Sequence, residues 1–202
     1  KEAAGRGERS VIYLFEETRD TFIHRSEAVN IPVRDMIDRG TLNVEEIEGI
    51  EYTSQEFAQR VRQEVEANGT DIVMIDGVSG YRLMLHGDDD EIVSRLHTLG
   101  RYLQHNGVTT ILVDETAGVT GDFTATQENI SYLADNIVFL RHLELNGELE
   151  KAIGVLKKRT SDFERTLRSF EITTHGIKVG EPLTGLHGIL RGTPEQLDGE
   201  SS

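Results

Sequence analysis

The sequence predicts an α/β fold, a mostly parallel sheet flanked by helices with an antiparallel β-hairpin extension at its C-terminal end. Three observations predict it. Short apolar runs of strand length alternate with amphipathic helical stretches, the alternation that builds parallel sheets through crossover helices. Each of these runs ends in acidic residues. From Asn136 onward the helical period gives way to extended segments joined by Asn146-Gly147, a pair suited to a two-residue type I′ turn.

In chain order, the first apolar run is Val11 to Phe15 (VIYLF), which closes on Glu16 and Glu17 and has the continuous apolar character of a buried parallel strand. Thr53 to Asn68 predicts a helix. It opens on the capping box Thr53-x-x-Glu56, places Phe57, Val61 and Val65 on one face, and stops at Asn68-Gly69. Ile72 to Ile75 in DIVMID is the second strand. Asp89 to His105 is the second long helix, with Ile92, Leu96, Leu99 and Leu103 on one face, Asp88, Asp89 and Asp90 at its positive end, and Asn106-Gly107 after it. Thr109 to Val113, in VTTILVDE, is a third buried strand. NIVFLRHLEL and LEKAIGVLKKR then form the hairpin, Leu167 to Thr173 adds a further extended stretch, and the polar segment TPEQLDGESS from Thr193 is a frayed tail.

The 202 residues fit one domain, with 37% hydrophobic and 28% charged residues, a globular balance. The chain has no cysteine, which excludes a disulfide framework, a thiolate metal site and a thiol nucleophile. A formal charge of −15, from 36 acidic against 21 basic residues, repels phosphate backbones and argues against nucleic acid as a partner. Five lysines stand against 16 arginines, and an acidic, lysine-poor surface suits a protein working in high salt. No apolar run approaches the ~18 residues of a membrane span. The first ten residues lack the apolar core of a signal peptide, so a soluble, cytoplasmic protein is expected.

Ligands of open α/β sheets bind outside the carboxyl ends of the strands, which singles out Glu16, Glu17, Asp76, Asp114 and Glu115. An apolar strand ending in aspartate, as IVMID does at Asp76, has the form of a Walker B strand, whose carboxylate holds Mg²⁺ beside a nucleotide. An aspartate there also caps a following helix. The adjacent pair Glu16-Glu17 suits a general base tuned by its like-charged neighbour, though it equally suits a solvated strand end. Lys157, Lys158 and Arg159 form the one dense basic cluster, which a nucleotide phosphate or a local salt bridge would satisfy. The seven histidines have no H-x-x-x-H spacing, and no nucleophile-elbow motif occurs.

Taken together, LFEET at 14–18, DIVMID at 71–76, TTILVDET at 109–116 and the long run ISYLADNIVFLRHLELNGELEKAIGVLKKRTSDFERTLRSFEIT resemble the KaiC family of RecA-like ATPases. GEPLTGLHGILRGTP at 180–194 extends the resemblance over nearly the whole chain. It implies a RecA-like core over residues 1–192, a tail at 193–202, ATP and Mg²⁺ as cofactors, and a homo-oligomer in the form of a hexameric ring with ATP between neighbours. By that likeness Glu16 and Glu17 match the catalytic acid pair, and Asp76 and Glu17 stand where metal is held. Lys157 and Arg159 match basic residues presented to the adjacent subunit's nucleotide, with Lys158, Thr160 and Ser161 on the same strand end. Thr126 and Ser131 fall where the family's phosphoacceptors lie, and Tyr132 replaces a second adjacent acceptor. Gly77 stands where the family often has serine, and Val29 where some members stack an aromatic on adenine.

The sequence contains no G-x-x-x-x-G-K-[ST] loop, whose backbone N–H groups and lysine grip phosphates. In the family that loop precedes a helix leading into the first strand, and KEAAGRGERS resembles the end of that helix, so the chain is expected to begin just after the loop. Two function classes follow. One is an ATP-hydrolysing domain, with Ser/Thr autokinase activity as an option, that passes a conformational change to a signalling protein. The other is a non-catalytic RecA-like interaction or oligomerisation module.

Overall fold

The computed structural model describes residues 1–85, 89–115, 133–145, 147–184, 186–187 and 195–196. The chain divides into two compact units, Lys1–Glu115 and Thr116–Ser202. In the first, α1 (Glu2–Gly5) leads to β1 (Ser10–Leu14), α2 (Arg19–Ala28), α3 (Val33–Asp38), β2 (Leu42–Glu46) and α4 (Ser54–Asn68). Then come β3 (Ile72–Asp76), α5 (Val78–Arg82) with a 3₁₀ turn at Leu83–Leu85, α6 (Asp89–His105) and β4 (Thr109–Val113). All four strands are parallel, in the order β2-β1-β3-β4, as the strand and helix alternation requires. β2 is the strand the apolar pattern did not reveal. It lies at the sheet edge, and its LNVEE sequence alternates, burying Leu42 and Val44 while its last residue, Glu46, is exposed.

Successive side chains of a strand point to opposite faces. On one face Val11, Tyr13, Val73 and Ile75 are at most 1% exposed. α4 covers them with Phe57 and Val61, and an edge-to-face contact of 5.0 Å joins the Tyr13 and Phe57 rings. α6 lies beside α4 on this side, where the Tyr102 hydroxyl donates to Glu66 at 2.8 Å. On the other face Leu14 packs with Phe22 and Ile23 of α2, Val33 and Met36 of α3, and Leu42 and Val44. Among the described residues that cover ends before β4. The expectation of a third buried strand is therefore corrected: β4 is an edge strand, Ile111 is 44% exposed, and the remaining strand residues are partly or fully exposed.

α4 starts as expected. The Thr53 hydroxyl accepts from the Glu56 N–H at 3.2 Å while the Glu56 carboxylate accepts from the Thr53 N–H at 2.8 Å, so two donors left over at the helix start are satisfied reciprocally. The Thr53 N–H and hydroxyl, both donating to the exposed Glu56 carboxylate at 2.8 Å, hold that carboxyl below its usual range. At the far end of α4, the buried Glu64 carboxylate accepts from Arg9 at 3.2 Å, Asn68 at 2.7 Å and Thr70 at 3.1 Å, tying α4 to the start of β1. α6 spans the expected residues, whereas Asp88 lies outside the described ones.

The second unit carries an antiparallel sheet, β5 (Asn136–Leu145), β6 (Glu148–Lys158), β7 (Arg168–Thr173) and β8 (Gly176–Pro182), in that order. Leu145 pairs with Glu148, leaving two residues for the turn. Gly147 takes φ +81°, the left-handed conformation that turn demands, while Asn146 lies outside the described residues. Its buried face holds Phe139, Leu143 and Ala152. Val138, Leu140, Ile172 and Ile177 are exposed. A short pair, β9 (Leu186–His187) with β10 (Glu195–Gln196), follows, the second strand falling within the polar tail.

Candidate functional site

Parallel register brings the strand ends level. Leu14 lies opposite Asp76, and Asp76 opposite Val113. The ladder runs one residue further, with Phe15 N–H donating to the Asp76 carbonyl at 3.0 Å and Gly77 N–H to the Val113 carbonyl at 3.3 Å. Glu16, Glu17, Asp76 and Glu115 consequently reach one cleft of about 800 Å³, floored by Ile12, Met74 and Val113 and walled by Phe22 and Arg25. Four of the five strand-end acids thus converge. Asp114 does not line the cleft; burial raises its carboxyl above the ordinary range, an effect opposed by the charge of Arg82.

Gly77 makes room for Glu16. It sits at φ +98°, and a Cβ there would lie 2.8 Å from Glu16 Cγ. The glycine after the strand is therefore a steric requirement of the acid beside it. Glu17 is held differently, by an ion pair with Arg25 one helix away. Arg25 also lies over the Phe22 ring at 5.7 Å. Sequence reasoning missed Arg25 because α2 carries no clear apolar period: its buried Phe22 and Ile23 are adjacent rather than three or four apart. The available signal was an arginine eight residues after an acid pair, behind a Thr18 cap.

Asp76 is electrostatically strained. Burial raises its carboxyl above the ordinary aspartate range; Glu17 and Glu115 push it the same way and Arg25 partly offsets them. A bound cation would relieve that crowding. Among the described residues no three acidic or histidine side chains converge to hold a metal by themselves. Mg²⁺ is commonly held by one or two carboxylates, with water and phosphate oxygens completing its shell. Asp76 and Glu17 fit that mode, whereas among the described residues the cleft offers phosphate only Lys1 and the already paired Arg25 as cations.

The basic residues belong to the second unit. Lys157 and Lys158 end β6, and Arg159 follows, its N–H donating to the Asp135 carbonyl at 3.0 Å and its guanidinium pairing with the Asp135 carboxylate at 3.2 Å. Thr160 is exposed, and the exposed Ser161 hydroxyl donates to the Asp162 carbonyl at 3.2 Å. Thr126, Ser131 and Tyr132 lie outside the described residues. Val29 caps the end of α2 and is partly buried. No described helix is long and apolar enough to cross a membrane.

Comparison with known proteins points to one family. The model of the KaiC ATPase matches residues 1–184. The circadian clock protein KaiC3 of Synechocystis sp. is 28% identical over 194 residues, covering 93% of this chain and 37% of the relative. The circadian clock oscillator protein KaiC of Acaryochloris marina is 24% identical over 203 residues, with 98% and 37% covered, and that of Thermosynechococcus vestitus 25% over 197 residues, with 95% and 36% covered. The chain thus spans a little over a third of the length of these curated relatives.

Proposed function

The chain belongs to the KaiC family of ATPases, and on that premise we propose that its acid-lined cleft is the nucleotide side of an ATP-hydrolysing domain, residues 1–192, acting in a hexameric homo-oligomeric ring. The observation that carries the proposal is the convergence of Glu16, Glu17 and Asp76 at one set of strand ends. Asp76 with Glu17 would hold Mg²⁺, which when bound neutralises phosphate charge. Glu16 lies exposed at the mouth, folded against Gly77, and serves to accept a proton from the attacking water. Arg25 fixes the position of Glu17.

Phosphate grip comes from a G-x-x-x-x-G-K-[ST] loop joined to this chain, so the 202 residues alone should give no measurable turnover. Arg159, with Lys157 and Lys158 and the hydroxyls of Thr160 and Ser161, serves the nucleotide of the adjacent subunit. Its pair with Asp135 is half-exposed on both sides, and an exposed pair is worth only ~0–1 kcal/mol, so phosphate can replace it. In a ring of this kind Thr126 and Ser131 are the candidate phosphoacceptors, and the conformational change reaches a signalling partner in the cytoplasm.

Mixed rings test this reading in a protein that joins this chain to its phosphate loop. Arg159→Ala and Glu17→Ala should each abolish turnover alone, and rings containing both should recover part of it, because some interfaces then combine an intact acid pair with an intact arginine. Mixed rings without recovery would show that Arg159 does not act across the interface. Normal turnover by Glu17→Ala alone would overturn the site assignment.

A further inference from the structure

On the sealed face of the parallel sheet, away from the acid cleft, a groove of about 450 Å³ runs between α4 and α6. We infer that it binds a small oxyanion, a carboxylate or a phosphate, at Arg62. The walls are built from Gln55, Gln59 and Arg62 on α4 and from Ser94, Arg95 and Thr98 on α6, over a floor of buried Tyr81 and Leu99. Gln55, Gln59 and Arg62 recur at intervals of four and three residues, which aligns them along one helix face. Each of these polar wall side chains carries an N–H or O–H donor. Among the described residues no carboxylate lines the groove.

Arg62 is held unlike its neighbours. Arg60, two residues earlier, pairs with Glu45, and Arg9 with Glu64. The Arg62 guanidinium instead lies 4.9 Å from the centre of the Tyr102 ring, and among the described residues it has no ion pair. The Tyr102 hydroxyl is committed to Glu66, which fixes the ring as a platform. A guanidinium stacked on a ring keeps its N–H edges for a forked oxyanion partner. The glutamine amides and the hydroxyls of Ser94 and Thr98 supply further donors to the same ligand.

The dimensions favour a small ligand over a peptide. From Gln55 to Arg62 the groove follows α4 for about 10 Å, at 1.5 Å per residue. Four extended peptide residues need about 13 Å. The volume lies within the usual range of small-molecule sites.

Amide-resolved NMR of the 202-residue chain tests the site, titrating inorganic phosphate and, separately, citrate at constant ionic strength. The expected result is saturable shifts at Gln55, Gln59, Arg62, Ser94 and Thr98 with one or both ions. Arg62→Gln and, independently, Gln59→Glu should weaken binding about tenfold or more while leaving the circular dichroism spectrum unchanged. Both positions are exposed, so neither variant removes core packing. Shifts that do not saturate, affinity unchanged in both variants, or saturable binding of hexaglutamate with neither small ion would each overturn the proposal.

Discussion

On the α4 side of the parallel sheet, Val11, Tyr13, Val73 and Ile75 are essentially inaccessible; on the α2 side, over β3 and β4, Met74 and Val113 are only partly covered and Ile111 is 44% exposed. Both sets come from one parallel sheet, the first from β1 and β3 and the second from β3 and β4, and both are apolar. The difference lies in what the chain lays over them. α4 and α6 are long helices with regular apolar faces, and they seal their side. α2 and α3 cover β1 and β2 and stop. The closed face supplies cohesion, and the open one leaves a cleft into which four strand-end acids project. Stability and chemistry are thereby separable by mutation, face by face.

The largest expected effect is on the closed face. Phe57 is fully buried and contacts Tyr13, Phe15 and Tyr81 edge-to-face. Phe57→Ala should cost ~3–5 kcal/mol in urea unfolding, since loss of a large core ring leaves a cavity. A cost below ~1 kcal/mol would remove the distinction between the faces.

Gly77→Ala should come next, at ~1–3 kcal/mol, because an L-residue is strained at φ +98° and its Cβ would meet Glu16. The same denaturant titration checks it. Unchanged stability would show that the backbone there relaxes easily.

Asp76→Asn should act in the opposite direction. Burial and the neighbouring Glu17 raise the folded-state pKa of Asp76 above its unfolded value, so ionising it penalises the fold. That penalty is absent below the unfolded pKa, develops as pH rises from there through the folded pKa, and is complete above it. The melting temperature of Asp76→Asn without metal should exceed that of the parent at pH 7, and the gap should close below about pH 3.5, beneath the unfolded aspartate value. A lower melting temperature at pH 7 would show that the carboxylate stabilises the fold. The smallest effect belongs to Ile111→Ser, within ~0.5 kcal/mol, as for most exposed positions; a loss above ~2 kcal/mol would mean that this face is closed.

Much of this contrast was legible in the sequence. α4 and α6 announce themselves by period and caps, and β1 and β3 by unbroken apolar runs, as central strands of a parallel sheet do. The strand-end acids followed from the general placement of ligands in open parallel sheets. Other elements were silent. β2 alternates, α3 has six residues, and β8 (GIKVGEP) is mostly exposed and gains its register from β7. Arg25 emerges only once α2 is folded beside β1, since a charge pair between a strand end and a helix leaves no periodic trace. β4 showed the opposite error: its apolar sequence suggested burial, but composition does not reveal whether a face is covered.

Glu17 is the residue on which the proposed ATP hydrolysis at this cleft depends most directly. In a protein that joins this chain to a phosphate-gripping loop, Mg-ATP hydrolysis and the urea unfolding midpoint should be measured together for the parent and Glu17→Gln. We expect turnover to fall at least about 10²-fold, because Glu17→Gln removes a carboxylate that holds the metal and with it the electrostatic stabilisation of the transferring phosphoryl group, with the midpoint unmoved within error. Turnover within a factor of two of the parent, at equal stability, would contradict it.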